Sequence, residues 1–192
     1  TAGRIFSPRN AFLAGLRDVT TWVLNYIPPV KRYFMEMRFK PMPFYENGLV
    51  VHEKVRRKNS PVGRMFIQPR VTTEAGETLL LDDAIGLNFA VLAWGTDPTF
   101  NMSARSIAFW QRMGVKFICV KPQVQMAYRD ALRPGVITLG DAQGRIKDWF
   151  SQQSQSVVFL RPDRFVAAIC APQGVDATTA ALARLLAAPL EA

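Results

Sequence analysis

The stretch that most restricts the fold runs from residue 89 to residue 120. Phe89-Ala90-Val91-Leu92-Ala93-Trp94 is a short apolar run of the kind a buried strand gives, with Trp94 closing it. Ser103 then stands where a helix N-cap belongs, Ile107, Trp110 and Met113 mark one face at helical spacing, and Gly114 suits a left-handed C-terminal cap. Val115 to Val120 reads as a second strand. Strand, helix and strand in this length make a βαβ unit, for which a right-handed crossover is expected. The first strand is the expected centre of the sheet.

The flanking patterns extend this unit. Met65, Phe66 and Ile67 precede Pro69, a polar turn follows at Glu74-Ala75-Gly76, and Leu79-Leu80-Leu81 leads to an acidic turn at Asp82-Asp83. Val136 to Leu139 predicts a further short strand, and Asp141 predicts the cap of a helix holding Ile146, Trp149 and Phe150. Val157 to Leu160 and Phe165 to Ile169 flank Arg161-Pro162-Asp163-Arg164, where proline and aspartate favour a tight turn, so an antiparallel hairpin is expected. Asp176 or Thr178 starts a last helix with Leu182, Leu185 and Leu186, stopped by Pro189. The order βαβ, helix, ββ, helix is that of a thioredoxin-like α/β domain, a central mixed sheet flanked by helices over residues 61–192.

The first third differs in character. The net charge of +9 lies wholly in residues 1–70, whereas residues 71–192 balance acid and base. Residues 1–46 alternate polar and aromatic stretches, and helical spacing predicts helices over roughly 11–26 and 30–37, interrupted by Pro28-Pro29. Their large side chains, among them Trp22, Tyr33 and Phe34, are too many for so short a segment to bury. They need another surface, either residues 71–192, or a partner or missing domain; Trp22, Tyr33 and Phe34 are the candidate interdomain or subunit contacts. Residues 47–60 read as an exposed basic linker carrying Lys54, Arg56, Arg57 and Lys58. No aromatic residue interleaves with that cluster as single-strand binding requires, and no nucleic-acid partner is expected. The sequence opens at Thr1 without a basic-then-apolar leader, so a piece of a longer, cytoplasmic chain is expected.

Most catalytic chemistries lack their residues here. A hydrophobic content of 49% fills a core, while no apolar run approaches the roughly 20 residues of a bilayer crossing. Cys119 and Cys170 lie inside expected strands, and Gly95 to Met102, where a thioredoxin places Cys-x-x-Cys, contains no cysteine. His52 has no Gly-x-Ser-x-Gly to serve, and with two cysteines it makes too few ligands for a structural zinc site. Neither Gly-x-Gly-x-x-Gly nor a Walker A loop occurs. Gly140-Asp141 invites comparison with the flavin-ribityl Gly-Asp motif of flavoprotein hydroxylases, but a capping aspartate accounts for it.

Several stretches taken together carry a resemblance. They are Leu24 to Phe34 with Tyr26-Ile27-Pro28-Pro29, Glu36 to Pro43, Ser60-Pro61-Val62-Gly63, Met65 to Pro69, and Arg161-Pro162-Asp163-Arg164-Phe165-Val166-Ala167-Ala168. Across nearly the whole chain this resembles the C-terminal part of the 3-(3-hydroxyphenyl)propionate hydroxylase family, bacterial flavoprotein aromatic monooxygenases. The resemblance implies a longer enzyme that uses FAD, NAD(P)H and O2 to place a hydroxyl ortho to a phenolic one, yielding a catechol. It implies that the FAD-binding and ribityl-contacting motifs precede Thr1, so that no catalytic or cofactor-binding residue and no metal site is carried over and no cofactor is expected on these residues. Residues 1–46 would be the helical tail of missing FAD and substrate domains, and residues 61–192 a thioredoxin-like C-terminal domain serving structure or homo-oligomer contacts. An independent, non-redox protein-binding module is the alternative.

Overall fold

The computed structural model describes residues 11–29, 43–53, 60–128, 131–188 and 190. The chain divides into two compact units, Thr1–Met42 and Pro43–Ala192. In the first, helix α1 spans Ala11–Asn25, in agreement with the periodicity, and Thr20 Oγ1 donates back to Leu16 O at 2.7 Å. The helix expected over residues 30–37 lies outside the described residues.

The second unit contains, in order, β1 (Arg70–Thr72), β2 (Thr78–Leu80), α2 (Leu81–Ile85), β3 (Ala90–Trp94), α3 (Ala104–Arg112), β4 (Lys116–Pro122), β5 (Val136–Asp141), α4 (Arg145–Ser151), β6 (Val157–Leu160), β7 (Val166–Cys170) and α5 (Val175–Leu185). Among the described residues, seven strands form one sheet in the order β2-β1-β5-β4-β3-β6-β7. β3, β4 and β5 run parallel, β6 and β7 follow antiparallel on the other side of β3, and β1 pairs antiparallel with β5. The subset β4-β3-β6-β7, with α3 in the β3–β4 connection and α5 after β7, is the thioredoxin-like arrangement. β5 and the β1–β2 hairpin widen it at one edge.

Side-chain alternation divides the core between the faces of this sheet. Ala90 and Leu92 of β3 join Ile118, Val120, Val158 and Leu160 under Ile146 and Phe150 of α4, with Leu81 and Ile85 of α2 alongside. Val91 and Ala93 point the other way, with Phe117, Val157 and Phe159, toward Phe109 and Trp110 of α3 and Val175 and Leu182 of α5. Trp94, expected within the buried strand, is only half-buried because it closes β3 at the carboxyl edge of the sheet. Trp110 is the tryptophan the core encloses, and its Nε1 donates to Thr179 Oγ1 at 2.9 Å.

A second tie joins the same two helices. Ser103 caps α3 as expected, its Oγ accepting from Ser106 N at 3.3 Å, while its own N–H donates to Asp176 Oδ1 at 3.0 Å. The last helix begins at Val175, and Asp176 in its first turn reaches across to Ser103. Burial alone would raise the Asp176 carboxyl, but hydrogen bonds from Ser106 and Ser103 outweigh it and hold the group below its ordinary value.

The outer side of β7 is met by Val51, from the expected linker, and by Gly63 and Arg64, from the start of the expected domain. Val51 N donates to Ala167 O at 2.7 Å, Gly63 N to Val166 O at 2.8 Å and Val166 N to Arg64 O at 2.9 Å, which covers the start of β7 on that side. Tyr45 N donates to Gly63 O at 2.8 Å, and the Tyr45 ring meets Phe165 edge-on with the Arg161 guanidinium 4.7 Å above it. Gly63 has φ of 78°, and a Cβ there would stand 2.0 Å from Tyr45 O, so only glycine admits this approach. The compact unit therefore starts at Pro43 rather than at residue 61, and Val50 is part of its core. Lys54 to Lys58, with the middle of the expected linker, lie outside the described residues.

Two stability measurements follow from this packing. Trp110→Ala is expected to cost about 3–5 kcal/mol in chemical denaturation, from the cavity it opens, and Trp94→Ala distinctly less; equal costs would contradict the unequal burial. Because the folded Asp176 carboxyl is depressed, its stabilisation is complete above the unfolded aspartate value and is lost as pH falls through the folded one. Asp176→Asn should thus be less stable than the parent at neutral pH, with the difference closing in acid below about pH 4. A pH-independent difference would argue against the Ser103 tie.

Candidate functional site

The carboxyl end of β3, where a thioredoxin carries its thiols, is built here around a carboxylate. Asp97 Oδ1 accepts from Thr99 N at 2.7 Å and Thr99 Oγ1 at 2.6 Å, and Oδ2 accepts from Arg133 N at 2.9 Å. The Arg133 guanidinium reaches Phe100 O and Met102 O, each at 3.5 Å. Backbone donors thus absorb both oxygens of Asp97, which serves as a staple between two loops.

The cysteines sit as the strand pattern predicts, both buried. They share one rung of the sheet, Cys119 opposite Ala93, Ala93 opposite Val157 and Val157 opposite Cys170. Three strand spacings separate them, roughly 14 Å, whereas a disulfide needs Cα atoms within about 7 Å. Burial pushes the Cys170 thiol up to about 11, against a smaller lowering by Thr178, so it stays protonated and unreactive near neutrality. Neither thiol is expected to react with a disulfide reagent until the protein is unfolded. Since the unfolded thiol ionises near 9 and the folded one near 11, Cys170 lowers stability as pH rises through that interval. Cys170→Ala should remove this part of the alkaline loss in a denaturation series from pH 8 to about 11.

Gly140-Asp141 ends β5 and does not fit a flavin. The space a Cβ would take at Gly140 is filled by the chain itself, with Gln123 Oε1 at 2.6 Å and Met126 Cγ at 2.7 Å. Asp141 is buried, and its Oδ2 accepts from Lys147 N at 2.8 Å in the first turn of α4. It performs the expected capping from three residues before the formal N-cap, Gly144. Asp82 and Asp83, expected as a turn, lie in the first turn of α2; Asp82 pairs with Arg164 and accepts from Gln68 Nε2 at 2.8 Å. The pair holds the Arg161–Arg164 turn, where Arg164 has φ of 66°. His52 Nε2 lies 2.8 Å from Glu46 O, and no group of three or more metal-ligating side chains occurs among the described residues.

What remains is an exposed apolar face on α1. Trp22 is 64% exposed, touching Tyr26 edge-on at 5.1 Å. Phe12, Leu16, Val19, Val23 and Tyr26 are exposed too, and their alternating four- and three-residue spacing puts them in one stripe along the helix. With Trp22, Leu13 and Ile27 the apolar arc widens to roughly 180° at 100° per residue. Of this stripe and its flank, only Trp22 was among the expected contacts, although the spacing of the others is visible in the sequence. Tyr33 and Phe34 lie outside the described residues. No described helix is long and apolar enough to cross a membrane.

Comparison with known proteins places these features. The HcaD C-terminal domain family matches residues 63–185. The chain is 46% identical, over its whole length, to a 3-(3-hydroxy-phenyl)propionate/3-hydroxycinnamic acid hydroxylase of Comamonas testosteroni, and 50% identical, over 97% of its length, to one of Escherichia coli (strain SMS-3-5 / SECEC). It spans 40% and 33% of the length of these relatives. Among solved structures, the flavin-dependent monooxygenase PieE, in complex with FAD and substrate, superposes with a TM-score of 0.51 at 16% identity, over 77% of this chain and 26% of that one. At that identity the likeness is one of fold. The match over the β3–α5 core, together with close identity to the hydroxylases, shows that this chain belongs to the HcaD C-terminal domain family.

Proposed function

We propose that these residues form the C-terminal part of an FAD-dependent aromatic monooxygenase acting on 3-(3-hydroxyphenyl)propionate-like phenolic acids. The observation that carries the reading is 46–50% identity across nearly all of this chain to hydroxylases of which it spans a third to two fifths. The longer enzyme would use NAD(P)H and O2 in the cytoplasm to hydroxylate the ring ortho to the existing hydroxyl, giving a catechol. Its FAD would be held by preceding domains, since Gly140-Asp141 is packed by Gln123 and Met126. These residues would themselves serve packing and assembly, within the polypeptide or in a homo-oligomer.

The contact face belongs to the same reading. Trp22, with Tyr33 and Phe34, would meet the preceding domains, and an arc as wide as that of α1 suits a helix enclosed by its neighbours better than a narrow two-helix seam. Expected outcomes are a colourless purified chain, and a source-cell protein of larger intact mass that is yellow from flavin. Flavin absorbance bound to the purified chain would overturn the assignment of the cofactor to other domains. A source-cell protein no larger than this chain would favour the independent binding module.

A further inference from the structure

The chain enters the 43–192 unit through a cluster of exposed aromatic and arginine side chains. Phe44, Tyr45 and Met65 are 45%, 42% and 41% exposed. The Arg64 guanidinium lies 5.4 Å from the centre of the Phe44 ring, and that of Arg161 lies 4.7 Å from Tyr45 and 5.7 Å from Phe165. Backbone bridges from Phe44 to Arg64 and from Met65 to Phe165 tie these segments together. A depression of about 540 Å³ opens beside them, between residues 45–49 and the Arg161-Pro162-Asp163 turn.

Composition and stiffness mark this patch as a docking surface. Aromatic residues, Met and Arg are enriched where proteins meet, and Tyr and Arg are prominent among the side chains that carry the binding energy. Tyr45 is held by its N–H on Gly63 O and by the Phe165 ring, so little freedom remains to be lost on association. Arg161 gives Nη2 to Asp163 in a partly exposed pair, and among the described residues its Nε and Nη1 meet no acceptor. A guanidinium held over an aromatic ring with donors to spare suits a carboxylate. The net charge of +9 makes an acidic face the complement of this chain. Because the chain spans 40% and 33% of the hydroxylases it matches, the rest of such an enzyme would be tethered close to this entry point. Resting on the C-terminal-part reading above, we propose that the Phe44, Tyr45, Met65 and Arg161 patch docks an acidic face of the preceding domains of the same polypeptide, with a carboxylate from that face on the free N–H groups of Arg161.

The test is hydroxyl-radical footprinting of the 192-residue chain and of the source-cell enzyme, read by mass spectrometry at Phe44, Tyr45 and Met65. In the longer enzyme these side chains should oxidise at least about threefold more slowly than in the isolated chain, because a docked face excludes water. Arg161→Glu should return Phe44 and Met65 of the longer enzyme to the rate of the isolated chain, and Arg161→Lys should keep most of the protection. A purely structural role for Arg161 would instead raise both rates in the isolated chain as well, and that result would overturn the proposal. So would protection that survives Arg161→Glu, or protection that grows in the isolated chain with its concentration, which would assign the patch to a second copy. Should Arg161→Glu fail to fold, the comparison of the two parent proteins carries the test. Equal rates in those two, with a source-cell enzyme that is larger and yellow, would overturn the docking alone; a source-cell protein no larger than this chain would overturn the C-terminal-part reading along with it.

Discussion

Strand β3 turns no face to water, and the rest of the 43–192 unit is arranged around that condition. Four of its five residues are buried, and alternation sends Leu92 toward α4 and Val91 and Ala93 toward α3 and α5. Helices are therefore needed on both faces of the sheet, and strands are needed on both sides of β3 to satisfy its backbone groups. β4 and β6 supply those ladders, and β7 and β5 lie beyond them. The start of β7 is met on its outer side by Val51, Gly63 and Arg64, and Gly63 lets Tyr45 approach closely.

The strand order is thioredoxin-like, while residues 95–102 after β3 hold no cysteine. Where thiols would stand, Asp97 binds two loops together, and the two cysteines lie a sheet's half-width apart as small apolar side chains. The polar ties that are present join helix to helix: Ser103 with Asp176, and Trp110 with Thr179. Membership of the HcaD C-terminal domain family does not by itself assign chemistry to these residues, because function follows the site rather than the fold.

Much of the secondary structure was legible because local rules and tertiary packing agree there. Ser103 as a cap, Gly114 with φ of 68°, the hairpin about Pro162-Asp163 and the last helix all have a local cause, and each was expected. The three-residue strands β1 and β2 were not separately legible, since so short a ladder is defined by its partner more than by its own pattern. Residues 43–53 were read as tail and linker because polar neighbours dilute them, yet Val50 and Tyr45 pack on the domain. On the exposed face of α1, size pointed to Trp22, while the longer stripe of Phe12, Leu16, Val19 and Val23 was equally legible at helical spacing.

The sequence by itself determined the order of elements from β3 onward, the placing of both cysteines inside strands, and the kinship with the hydroxylases, because these reside in residue identity and short-range spacing. Only the tertiary structure decided that β5 lies outside β4, that Cys119 and Cys170 share a rung, that Gly140 is filled by Gln123 and Met126, and that Tyr45 and Arg161 line one depression. Those are relations between residues distant along the chain. Strand register and loop closure set them, and no local pattern encodes either one.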